Sequence, residues 1–361
     1  MGKSSDHFLP YPRLGLRRTI MGTIGKFLVK VLARPQIEGL ENIPEEGPVI
    51  LAGNHVSSLE PLFMTLFTER KVEPMGAGDM PFDGALDLIV NHYGYIPVNR
   101  GQLDRKAMNQ ALSILDQGGF LGIFPEGGTW DPGNMRAQIG VAWLSHKGRA
   151  KVVPLGFSGF NNSLGRVFKL KRPKFRMNIG KAIPALSTEN DERPIKEIYQ
   201  EYADMVMGKV RELIDPAEFL DVPTRSEYSL NLVRENEKVI NLSGYDAIAQ
   251  FFHNRIMLDS LFNNLKKPIK KLYPEEQQGT ITEFAQALRA SLEILEENPA
   301  FFTYRLGMER GRELEASIWR LIEFLENETV GTGINLLAKA RHHYPDGRVE
   351  ELCHTYMLSA E

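Results

Sequence analysis

The chain has very little cysteine. Cys353 stands alone among 361 residues, so no internal disulfide framework braces the fold, and the composition is compatible with a reducing compartment. No stretch is long and apolar enough to span a bilayer. A signal peptide is not expected, because the N-terminus lacks an apolar core followed by a small-residue cleavage site. An excess of positive charge is missing too, and a net charge of −3 argues against bulk nucleic-acid binding. No metal is expected either, since His55, His92 and the His342–His343 pair do not form a ligand set with defined spacing. No internal repeat or low-complexity tract stands out. What remains is a protein that is soluble or lies on a membrane.

Charged residues make up 25% of the chain and hydrophobic ones 42%, the ordinary proportions of a globular protein with a sizeable core. The length is comfortable for two domains. Charge is unevenly spread. Residues 1–220 hold 27 Lys and Arg against 24 Asp and Glu, whereas residues 221–361 hold 16 against 22. The first part is therefore the one expected to meet anions.

Three sections follow from the patterning. In residues 1–35, an amphipathic helical segment sets Ile20, Met21, Ile24, Phe27, Leu28, Val31 and Leu32 on one stripe. Arg18, Lys26, Lys30 and Arg34 lie opposite, and Pro35 ends the pattern. Such a helix either lies in a membrane interface or packs on its own domain. Residues 36–220 alternate strand-like runs ("VILAGNH", "YIPVNR", "LGIFPEGG", "KVVPLGFSGF", "KFRMNIGKAI") with helical ones, which predicts an α/β sheet covered by helices. Beyond residue 220 strand signals fade. Three helical patterns with acidic outer faces there predict an all-helical region over 221–361.

The stretch "AGNHVSSLEPLF", Ala52 to Phe63, supports two readings of its histidine and glutamate. In one, Ser57 caps a helix and Glu60 bonds back to the cap amide, with Pro61 in the first turn. In the other, Glu60 orients His55. On a continuous helix residues five apart point about 140° away from each other. A turn between them would let the carboxylate reach the imidazole, fix its tautomer and leave the second ring nitrogen to take a proton.

Three further stretches carry functional residue types. "GYIPVNRG" puts Arg100 on a Gly-flanked turn, where its fork suits phosphate or carboxylate. "GIFPEGGTWDPG" ends a buried strand with Glu126 at the mouth of a turn, and Gly127 and Gly128 let backbone amides approach a ligand closely. "KVVPLGFSG" is another buried strand. Taken together and in order, "NHVSSLE", "GYIPVNR", "FPEGGTW" and "VVPLGF" resemble the four blocks of the glycerolipid acyltransferases, which include the 1-acylglycerol-3-phosphate acyltransferases. The resemblance covers about residues 20–215. It departs at Glu60, where aspartate is usual, and at Gly128, Thr129 and Trp130, where Thr-Arg-Ser is usual. The second departure removes an arginine expected near the acceptor phosphate, and Arg136 is the candidate to supply that charge.

The resemblance implies a central mixed sheet with helices on both faces. It further implies transfer of a fatty acyl group from acyl-CoA or acyl-carrier protein to a lysophospholipid hydroxyl. His55 would be the base and Glu60 its orienting carboxylate. Arg100, Glu126, Gly127, Gly128 and Arg136 would serve the acceptor head group or developing charge. No cofactor beyond the donor is implied, and no serine sits in a nucleophile elbow. The enzyme would be cytoplasmic, in peripheral contact with the anionic inner face of the cell membrane. The alternatives are a different lipid or glycolipid acceptor, or a catalytically silent lipid-binding relative.

Overall fold

The structure is a computed structural model. It describes residues 7–360 except 58, 79–83, 100–102, 128–136, 162, 190, 235–238, 256, 259–271, 298–307 and 329–331. Along the chain, α1 (Gly15–Leu32) leads into β1 (Arg34–Glu38). Then come β2 (Val49–Gly53), α2 (Glu60–Phe67), β3 (Val72–Ala77), α3 (Gly84–Tyr93) and β4 (Ile96–Val98). Next are α4 (Arg105–Asp116), β5 (Phe120–Ile123), α5 (Gly140–Lys147) and β6 (Lys151–Ser158). The first unit closes with α6 (Ser163–Phe168), β7 (Lys174–Ile179), α7 (Ile195–Glu212) and α8 (Ala217–Leu220). It comprises residues 1–79 and 84–222, and the remainder from 223 onward forms a second compact unit.

The first unit is built on a seven-stranded sheet in the order β1-β7-β6-β2-β5-β3-β4. Only the β6–β7 pair is antiparallel. The central strands are buried on both sides, which is why they read as near-continuous apolar runs rather than alternating ones. Ile50, Leu121 and Val152 pack on one face against Ala111 and Ile114 of α4, Val141 and Leu144 of α5 and Val206 of α7. Val49, Leu51, Phe120 and Val153 pack on the other against Phe63 and Met64 of α2. The mixed sheet with helices on both faces is therefore the observed fold. Each fully buried aliphatic or aromatic side chain contributes about 1.5–3 kcal/mol over leaving it in water.

Two strands were not among those expected from the sequence. β1 tolerates Pro35 because it is an edge strand, where a missing N–H costs no ladder bond. β3 contains the charged Glu73, fully buried. Its carboxylate is held by Arg18, which pairs with both carboxylate oxygens, and by Arg13 at 2.8 Å. Arg18 also donates to the carbonyls of Tyr93 (2.9 Å) and Gly94 (3.1 Å) and lies over the Tyr93 ring. The placement of Arg18 on an outer basic face is thus corrected: it is the most buried residue of α1. A guanidinium taken out of water needs this full set of partners.

The second unit holds the expected helices: α9 (Asp246–His253), α10 (Ile281–Glu297) and α11 (Met308–Glu328). It is not all-helical. A five-stranded sheet joins β8 (Arg225–Arg234), β9 (Ile240–Leu242), β10 (Gln278–Thr280), β11 (Ile334–His343) and β12 (Val349–Ser359), in the order β10-β12-β11-β8-β9. Ile334, Leu336 and Ala338 of β11 alternate inward against the helices and Ala340 is buried in the same phase, while Asn335, Lys339 and Arg341 are exposed. The period of two is present, but small and charged residues dilute it below a strong strand signal.

Candidate active site

β2 and β5 lie side by side and parallel. The helix after β2 covers one face of the sheet and the helix after β5 covers the other. The chain therefore departs from the two strand ends toward opposite faces of the sheet. Ligands of open α/β sheets bind outside the carboxyl ends of strands at such points. His55 sits two residues past β2 and Glu126 three residues past β5.

The Gly-Asn-His triplet is arranged by three separate contacts. A side chain at Gly53 would collide with the Phe157 ring, so glycine lets that ring lie across the strand end. The Asn54 side chain accepts the Phe157 N–H at 2.7 Å and donates to its carbonyl at 3.1 Å. It thereby imitates one more residue of β-ladder between β2 and β6. The His55 ring stacks on Phe124, centroids 4.3 Å apart and planes at 24°.

His55 Nδ1 lies 3.4 Å from Glu60 Oε2. Glu60 is fully buried and also accepts the N–H of Val56 at Oε1 and of Ser57 at Oε2, both at 3.1 Å. Both readings of the Ala52–Phe63 stretch thus describe the same carboxylate. The capping box, however, is corrected. The helix begins at Glu60 itself, and the Ser57 hydroxyl accepts from the Leu59 amide, two residues on, rather than from the third residue. Pro61 does lie in the first turn.

Glu126 is also buried, and its Oε2 accepts the His55 backbone N–H at 3.0 Å. Burial pushes its carboxyl up to about 8, more than the His55 amide pulls it down, and Glu60 adds to the rise. Gly127 closes the turn by donating its N–H to the Phe124 carbonyl at 2.9 Å, with φ at 73°, a conformation glycine adopts without strain. His55, Glu60, Glu126 and Gly127 are brought together. Arg100, Gly128 and Arg136, with Thr129 and Trp130, lie outside the described residues. Asn54 and Phe124 were not singled out from the sequence. An asparagine ending a fully apolar strand is the signal that could have pointed to Asn54.

Residues 34–158 match the family model described as acyltransferase. A 1-acyl-sn-glycerol-3-phosphate acyltransferase of Borreliella burgdorferi is 26% identical over 129 residues, or 35% of this chain and 52% of that protein. The chain thus spans about half the length of that curated relative. Among solved structures, the 1-acyl-sn-glycerophosphate (LPA) acyltransferase PlsC from Thermotoga maritima is 18% identical with a TM-score of 0.41. That likeness covers 57% of this chain and 85% of that one. Through residues 34–158, the chain is thus similar to acyltransferases, a 1-acyl-sn-glycerol-3-phosphate acyltransferase among them.

Proposed function

We propose that this protein transfers a fatty acyl group from a thioester, acyl-CoA or acyl-carrier protein, to a hydroxyl of a lysophospholipid, with 1-acylglycerol-3-phosphate as the favoured acceptor. The observation that carries the reading is the contact of His55 Nδ1 with buried Glu60, which leaves Nε2 for a substrate proton. At 3.4 Å the contact is long for a hydrogen bond, as such contacts often are before substrate binds. It is expected to tighten once the ring is charged.

In this mechanism His55 Nε2 takes the acceptor hydroxyl proton as the oxygen attacks the thioester carbonyl. The tetrahedral intermediate collapses, the C–S bond breaks, and the thiolate leaves and collects a proton. Glu60 positions the imidazole and offsets its charge. Glu126, protonated below about pH 8, clamps the His55 backbone without adding a second negative charge. An anionic acceptor would otherwise be repelled. Arg100, Gly127, Gly128 and Arg136 are the candidates to hold the head group or steady the developing oxyanion. No cofactor beyond the acyl donor enters the scheme.

No helix among the described residues is long and apolar enough to cross a membrane. A bilayer-borne acceptor is then reached from the surface, and we place the protein on the cytoplasmic face. The test is thiol release from an acyl-CoA in the presence of lysophosphatidic acid. His55→Ala should lower it about 10²–10⁴-fold. Wild-type turnover in a folded His55→Ala protein would remove the assignment. The departure at residues 128–130 favours one second reading, the same chemistry on a different lipid hydroxyl, which an acceptor screen by mass spectrometry resolves.

A further inference from the structure

The connection between β6 and β7 leaves two large apolar side chains in water. Phe168 is 81% exposed and Leu170 is 70% exposed. Leu170 has φ at 53° and Arg172 at 45°, both in the left-handed region. The turn caps α6: the N–H of Leu170 bonds the Val167 carbonyl at 2.9 Å and that of Lys171 bonds the Arg166 carbonyl at 3.0 Å. Glycine usually fills the left-handed position of such a cap, because a side chain there costs about 1–2 kcal/mol. This chain places a large apolar side chain there and leaves it in water. Strain of this kind points to a role outside the fold.

The surroundings indicate the occupant. Lys169, Lys171 and Arg172 are exposed and interleave with the two apolar residues. Arg172 donates to the Lys30 carbonyl near the C-terminal end of α1 at 3.0 Å. Arg34, just past α1, donates its N–H to the Pro173 carbonyl at 2.9 Å. The turn therefore adjoins the end of α1 where Phe27, Leu28 and Val31 are exposed. Sheet topology sets the turn at the same end as the site. β6 runs parallel to β2 and antiparallel to β7, so the whole β6–β7 connection emerges beside the strand end that bears His55.

We infer that the Phe168–Arg172 turn is a second membrane-insertion element. It would seat Phe168 and Leu170 among acyl chains and Lys169, Lys171 and Arg172 against anionic head groups, beside α1 and at the His55 end of the sheet. This inference rests on the reading of a bilayer-borne acceptor. Alternating apolar and basic side chains suit that interface: the first gain from acyl-chain contact, and each basic residue adds attraction that salt screens.

The experiment is co-sedimentation of the full chain with phosphatidylglycerol/phosphatidylcholine vesicles, comparing wild type with Phe168→Ser/Leu170→Gly. Partitioning should fall about tenfold or more. The melting temperature should hold or rise, because glycine relieves the left-handed strain. Lys169→Gln/Lys171→Gln should reduce the preference for anionic over pure phosphatidylcholine vesicles and flatten the salt dependence. Undiminished partitioning by the folded apolar double variant would overturn the inference. Thiol release, read separately, keeps the two proposals apart: a wild type that sediments with vesicles through this turn but releases no thiol loses the acyl-transfer reading and keeps the docking element.

Discussion

At the scale of single residues, the candidate site holds two buried glutamates in unlike surroundings. Glu60 collects the Val56 and Ser57 amides on separate oxygens and faces His55 with one of them. Glu60→Gln would turn an amide nitrogen toward one of those N–H groups and leave a buried donor unsatisfied, a loss of about 1–3 kcal/mol. The informative reading is therefore kinetic. For a positioning carboxylate kcat should fall steeply with KM nearly unchanged, and wild-type kcat alongside a lowered melting temperature would leave Glu60 with a structural role alone. Glu126 gives a pH signature. Its folded carboxyl titrates at about 8 against an ordinary 4.5, so between those values the folded state holds more protons than the unfolded one. Stability conferred by this group is present at low pH and is lost as pH rises toward 8. Glu126→Gln, which keeps an oxygen for the His55 amide, should flatten that decline. An unaltered pH profile of unfolding would contradict the burial argument.

At the scale of elements, α1 leaves its apolar stripe unburied and turns a basic residue inward instead. Its buried side is narrow, with Gly25 lying close against Leu66 of α2, and Arg18 reaches inward to Glu73. The broad apolar stripe is bare: Leu16 is 78% and Phe27 67% exposed, and Ile20, Ile24, Leu28 and Val31 are exposed with them. An apolar stripe of this size facing outward marks an interaction surface, and exposed Lys26 and Lys30 suit an anionic interface. Ile24→Glu/Phe27→Glu should leave the folded core unchanged by circular dichroism and melting. It should also lower binding to anionic vesicles about tenfold or more. A folded double variant that binds vesicles as the wild type does would rule this helix out as an anchor.

At the scale of the whole molecule, the two units have separate cores. One is layered on both faces of the seven-stranded sheet, and the other lies between the five-stranded sheet and its helices. Units with cores of their own can unfold as separate cooperative steps. Urea unfolding is expected to show two transitions, and Trp319, the tryptophan of the second unit, should report only one of them. Its fluorescence change should disappear in Trp319→Phe while the other transition stays. Coincident transitions by fluorescence and circular dichroism would show that the units unfold together.

The elements of the first unit whose burial is complete are legible from local pattern alone. β2, β5 and β6 are apolar at nearly every position, and α4 and α5 repeat at helical spacing, so local pattern and tertiary role agree. Local pattern also marks the His55–Glu60 pairing as a geometric option, because a turn between them follows from Ser57, Ser58 and Pro61. The tertiary structure decided the rest. Whether a helix buries its apolar stripe depends on what lies opposite, and no pattern within α1 records that Arg18 meets Glu73 from β3. The C-terminal sheet pairs β11 with β8, about a hundred residues earlier in the chain, and short-range periodicity cannot report such a distant partner. Asn54 illustrates the same limit, since its role comes from the Phe157 backbone on another strand. Local periodicity is fixed by neighbours in sequence, whereas burial, charge pairing and exposure are fixed by neighbours in space.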